Sequence, residues 1–248
     1  MYMRQPSFAV ITHHDHRLEN NSYFARHLLF TDIGASSNPR ITASSTYWFA
    51  IIGSGRKLWI TYLNDILSSS TTKFVVTEKA GRVKWFTEGA LQSSGILLDL
   101  TDAVYSAGWE EGLLSMAFDP DYVNNRYAYV FYSLDNPKRS RLSRFTVNLD
   151  NIAGRSSELT LLEIPKTSDS HNGGMLQFGT DGFLYISVSD GYQVDDAQDL
   201  SDLKGGLLRL DTRNASEKAP YEIPPDNPFA NNNEGIRPEI LASGFRNP

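Results

Sequence analysis

His171 is the residue on which chemistry would turn. The chain has five histidines; His13, His14, His16 and His27 fall early, and His171 stands alone after them. An imidazole titrates near neutral pH, so it suits a general base. Gly173 and Gly174 follow it, which lets the backbone turn and a ligand approach closely. A lone histidine also caps loops and fills polar niches, and residue type alone leaves both readings open.

Other constellations carry less. His13-His14-Asp15-His16 offers zinc-type ligands, but neighbours in an extended chain point to opposite sides and no spaced partner set follows. Asp195, Asp196, Asp199 and Asp202 lack the alternating ligands and closing Glu of a calcium loop, so a solvated loop is expected. No metal site is expected within the chain. The absence of cysteine excludes disulfides, thiolate nucleophiles and Cys-based zinc sites. There is no phosphate-cradling Gly-Lys loop, dinucleotide fingerprint or serine elbow, which disfavours nicotinamide-dependent dehydrogenation on a Rossmann fold.

The elements that would position His171 are short strands. The 248 residues are 40% hydrophobic and 12% aromatic, an ordinary globular composition. A net charge of -6 without a basic run argues against nucleic acid or an anionic membrane as partner. No apolar run approaches the roughly 20 residues of a membrane span, and Trp48 to Ile52 is the densest patch. Met1 to Thr12 is too weakly apolar for a signal-peptide core, so the compartment stays unknown. Asn20-Asn21-Ser22 and Asn214-Ala215-Ser216 fit the glycosylation pattern, which arises often by chance.

The chain divides near residue 56. Residues 1–56 are irregular and unassigned; residues 57–248 carry β-like runs between turns. Lys73–Thr77, Gly81–Phe86, Arg126–Tyr132, Phe183–Val188 and Leu207–Leu210 are such runs, and helical spacing is absent. Met116-Ala117-Phe118-Asp119-Pro120-Asp121 and Leu176-Gln177-Phe178-Gly179-Thr180-Asp181 repeat one pattern, with Phe118 and Phe178 60 residues apart. The class is all-β, and the repeat suggests propeller blades against a sandwich or irregular barrel.

An ordered series of motifs resembles the glucose/sorbosone dehydrogenase family. It runs from Glu110-Glu111-Gly112-Leu113-Leu114 through Ser140-Arg141-Leu142-Ser143-Arg144-Phe145 to His171-Asn172-Gly173-Gly174-Met175-Leu176. Asp181-Gly182-Phe183-Leu184-Tyr185-Ile186, Asp190-Gly191, Ala197-Gln198-Asp199-Leu200, Tyr221 to Phe229 and Gly244-Phe245-Arg246-Asn247-Pro248 follow in order. The resemblance implies a six-bladed β-propeller, of which this chain carries about three blades as the N-terminal half, residues 57–248. It implies oxidation of an aldose sugar at its anomeric carbon with pyrroloquinoline quinone (PQQ) on the top face. His171 is then the catalytic base. Arg246 and Asn247 are the cofactor-contacting pair, and a guanidinium suits the oxygens of the quinone. Gln198 and Asp190 are cofactor-side loop positions, although Asp190-Gly191 is also a standard turn pair.

Three departures open a second reading. Glu110 takes a substrate-side position where the sugar dehydrogenases carry Gln, as in the Hedgehog-interacting-protein-like branch. A carboxylate beside His171 would raise its pKa. Ser170 precedes the histidine where an Asp is usual. The chain also stops at Pro248, before the family's calcium ligands and later quinone-holding Lys and Arg residues, so a fragment is expected. The family is usually periplasmic or secreted. The two functions left open are a sugar dehydrogenase using PQQ and calcium, and a non-enzymatic propeller that binds a protein partner.

Overall fold

Short runs of β-branched and aromatic residues, separated by Gly, Asp and Asn turns, pair with their sequence neighbours because each reversal returns the chain beside the strand just made. The computed structural model describes residues 46–50, 57–63, 73–87 and 92–248. The histidine cluster His13 to His16, the Asn20 acceptor site and most of the unassigned N-terminal segment lie outside them.

The first sheet has five strands in sequence order: β1 (Thr46–Ala50), β2 (Lys57–Leu63), β3 (Lys73–Glu78), β4 (Arg82–Thr87) and β5 (Gly95–Asp99). The second has four: β6 (Leu113–Phe118), β7 (Tyr127–Leu134), β8 (Arg139–Thr146) and β9 (Leu159–Pro165). The third has β10 (Gly173–Phe178), β11 (Leu184–Val188), β12 (Gly206–Leu210) and β13 (Ile240–Ser243). Every pairing is antiparallel. These are blades of a partial β-propeller, as the sequence repeat suggests. β1, which precedes residue 57, pairs residue for residue with β2.

The repeat has a structural meaning. β6 and β10 are the first strands of their sheets, and they begin and end at equivalent positions of the repeat, Leu113 with Gly173 and Phe118 with Phe178. All six residues of β6 are buried. In β7 the two side-chain faces enter two different cores, as the period of two requires. Ala128, Val130, Tyr132 and Leu134 join a cluster with Val83, Leu98, Met116 and Phe145. Tyr129 and Phe131 join Leu142, Leu176, Ile186 and Leu208. Burial on both faces explains the near-continuous apolar run YAYVFYSL, which a one-sided sheet would have interrupted with polar residues. Truncating a ring such as Phe131 would cost roughly 3–5 kcal/mol. Ser115 in β6 donates to the carbonyl of Gly174 in β10, tying one blade to the next at the start of the strand that follows His171.

In such meanders alternate connections fall at opposite ends. The segments 100–112, 135–138, 166–172, 189–205 and 244–248 share one end, and Glu110, His171, Asp190, Gln198, Arg246 and Asn247 lie on them.

Candidate functional site

His171 is the penultimate residue of the connection from β9 to β10. Its backbone lies in the left-handed region at φ 54, followed by Gly173 at φ 62 and Gly174 at φ 96. A Cβ on Gly173 would lie 2.9 Å from both the Ser187 carbonyl and the Ser189 amide nitrogen. One on Gly174 would lie 2.8 Å from the Phe131 ring. Only glycine lets the chain pass here, so the Gly-Gly pair sets the direction in which His171 leaves the sheet.

Two carboxylates fix this turn. Glu110 Oε2 accepts the backbone N–H of His171 at 2.7 Å and that of Asn172 at 3.4 Å. The negative charge at Glu110 therefore meets main-chain amides, not the imidazole. Asp190 Oδ1 lies 2.7 Å from His171 Nδ1. A carboxylate only accepts, so Nδ1 donates the hydrogen of this contact, and in the neutral ring Nε2 is the nitrogen with the lone pair. Asp190 thus supplies the orienting carboxylate that Ser170 lacks. The Asp190 side chain is 2% exposed and that of His171 is 13% exposed, so the pair is set in the floor of the face and not on a mobile rim. Asp190 Oδ1 also accepts the Tyr192 N–H at 2.8 Å, the turn contact expected of Asp190-Gly191.

The last residues close the other side. The Asp190 N–H donates to the Arg246 carbonyl at 3.1 Å, and Ser189 Oγ donates to Asn247 Oδ1 at 2.7 Å. The Gly244 N–H donates to the Ala197 carbonyl at 3.0 Å, and the Gly244 backbone faces Gln198 Nε2. Arg246, Asn247 and Gln198 are exposed. Asn247 spends its oxygen on Ser189, which leaves its amide N–H groups for a ligand. All six residues expected at the site are brought to one end of the blades.

Sequence reasoning missed the support beneath Glu110. Glu111 is 1% exposed and receives Lys138 Nζ at 2.9 Å, while Lys166 Nζ stands 3.8 Å away, buried and without a hydrogen bond. Burial outweighs the attraction of Glu111 and lowers the Lys166 pKa to about 8. Adjacent acids at Glu110 and Glu111, with their lysine partners far along the chain, gave no local signal. Tyr192 was also missed; its ring meets the imidazole of His171 edge-on at 4.9 Å. A bulky residue directly after Asp190-Gly191, where the turn favours a small one, was the available sign.

The acidic run beyond it is partly paired from within. Lys204 Nζ contacts Asp196 and lies 3.1 Å from Asp202, while Asp199 accepts from Ser201. Among the described residues no group of three or more His, Asp or Glu side chains could hold a metal ion. None of the described helices is long and apolar enough to cross a membrane.

The sequence model of the family described as Glucose / Sorbosone dehydrogenase matches residues 65–248. The chain is 36% identical to the Hedgehog-interacting protein of Mus musculus over 195 residues, 71% of this chain and 27% of that protein. It is 34% identical to the aldose sugar dehydrogenase YliI of Escherichia coli K12 over 141 residues, 55% of this chain and 36% of that protein. Among solved structures, an oxidoreductase (glucose dehydrogenase) from Thermus thermophilus superposes with a TM-score of 0.59 at 32% identity. That match covers 71% of this chain and 50% of the solved one. The chain thus spans about a third or less of these two curated relatives.

Proposed function

This chain belongs to the glucose/sorbosone dehydrogenase family, and on that premise we propose that it serves the PQQ-dependent oxidation of an aldose at its anomeric carbon. The observation that carries the reading is the His171–Asp190 pair, an imidazole whose Nδ1 is held by a carboxylate. His171 Nε2 takes the proton of the anomeric hydroxyl, and Asp190 stabilises the imidazolium that results. When bound, PQQ supplies the acceptor for the two electrons and the C1 hydrogen, so that the aldose becomes a lactone.

The residues present fit such a group. Arg246 offers an exposed guanidinium, and the free amide N–H groups of Asn247 and Gln198 add donors. Donors of this kind suit a ligand whose rim is carboxylate and quinone oxygen. Calcium, expected from the resemblance, enters as an added ion.

One observation favours a second reading. Glu110 is engaged with main-chain amides, so its carboxylate is not presented to a sugar. In that reading the same face grips a protein partner, as the name of the mouse relative describes for that protein.

Titration of the chain with PQQ and calcium, followed by absorbance, separates the two. Saturable binding and bleaching on addition of an aldose support the dehydrogenase. Absence of binding refutes it for this chain.

A further inference from the structure

Among the described residues five that are not glycine have positive φ: Arg126, Asn136, Asn151, His171 and Tyr192. Asparagine enters this region readily. Arg126 is the left-handed C-cap of the single-turn helix α1 (Tyr122–Asn125), donating its N–H to the Tyr122 carbonyl. His171 and Tyr192 are left, and these two rings touch each other, with centroids 4.9 Å apart and planes at 65°. Histidine shares some of asparagine's tolerance for this region, but tyrosine does not.

Packing does not explain Tyr192 either, because it is 61% exposed. A bulky side chain held at φ 71 costs on the order of 1–3 kcal/mol and persists only where its surroundings impose it. Here the surroundings are the catalytic pair itself. Asp190 Oδ1 takes the Tyr192 N–H at 2.8 Å and faces His171 Nδ1 at 2.7 Å, so one oxygen holds the imidazole and the Tyr192 backbone. An open aromatic ring is thereby set beside the imidazole.

We propose that Tyr192 is the specificity wall of the sugar site. Its ring packs on the apolar C–H face of a pyranose and turns the anomeric hydroxyl toward His171 Nε2. A phenol suits this ligand, since its faces are apolar and its rim is wet, as those of a pyranose are. The inference rests on the dehydrogenase reading given above and names the residue that holds the sugar ring.

The test is NMR of the full chain labelled with nitrogen-15 histidine, with PQQ and calcium present, titrated with D-glucose. The His171 ring signals are assigned from a His171→Gln variant. Wild type and Tyr192→Phe are expected to show the same saturable shift. Tyr192→Gly relieves the backbone strain, so it is expected to melt no earlier than wild type while binding glucose about tenfold more weakly. Tyr192→Ala serves as a second ring deletion and is expected to bind as weakly. Wild-type glucose affinity in both deletions overturns the wall and leaves the sugar reading standing. No glucose-dependent shift in wild type overturns both.

Discussion

Nδ1 of His171 and Oδ1 of Asp190 lie 2.7 Å apart, although 19 positions and two strands separate the residues in sequence. The contact joins two connections at one end of the third sheet. It decides which imidazole nitrogen is free.

Replacing Asp190 by Asn removes the charge that holds the Nδ1–H tautomer. Sugar oxidation is expected to fall by roughly 10²–10⁴, the range spanned by general-base loss and wrong-tautomer variants. The nitrogen-15 spectrum of His171 reads the same change without turnover. Wild type is expected to show Nδ1 protonated and Nε2 bare. An unchanged tautomer in Asp190→Asn would remove Asp190 as the orienting group.

Glu110 works through an oxygen, not through its charge alone. Glu110→Gln keeps an acceptor for the His171 and Asn172 amides and is expected to preserve the turn. Glu110→Ala leaves those amides without their partner and is expected to cost about 1–3 kcal/mol. Chemical denaturation of the three proteins checks the order. Equal loss in Gln and Ala would mean that charge is the operative property.

Lys166 gives a pH dependence of defined sign. Its folded pKa, about 8, lies below the ordinary 10.5, so the unfolded chain binds more protons between those values. Stability from this group therefore rises as pH increases from about 8 to 10.5, and its cost is complete below about pH 8. Lys166→Met is expected to stabilise the protein at pH 7, by at most roughly 3 kcal/mol, with the advantage gone near pH 10.5. Denaturation of both proteins across that range tests it. An advantage that does not shrink with pH would place its cause outside the ammonium.

Much of the scaffold was legible because the strand signal is local. Lys73–Thr77, Arg126–Tyr132 and Leu207–Leu210 fall on β3, β7 and β12, and the Phe118–Phe178 spacing marks the ends of β6 and β10. β8 was harder to read from pattern alone, because its buried positions include Ser140 and Ser143 beside Leu142 and Phe145. At the site, residue types and order pointed to His171, Asp190, Arg246 and Asn247. What Glu110 touches was not legible. Its partner amides lie 61 and 62 residues away, and only the docking of two blades brings them together. The Glu111–Lys138–Lys166 group was hidden for the same reason. Tyr192 was overlooked because a left-handed tyrosine is a property of the folded turn, which propensity does not register.

Gly173 offers a check on how tightly the turn is set. Gly173→Ala places a Cβ 2.9 Å from backbone atoms of Ser187 and Ser189 at a positive φ. The expected loss exceeds the roughly 1 kcal/mol of an unstrained glycine change, and thermal unfolding measures it. Wild-type stability would show that the loop yields and that His171 is not rigidly aimed.

The most direct measurement follows the aldose-dependent bleaching of PQQ, with calcium, in wild type and His171→Ala. With His171 as the base, the variant should bind the quinone as wild type does and reduce it at least about 100-fold more slowly. Bleaching at a near-wild-type rate would contradict the role given to His171.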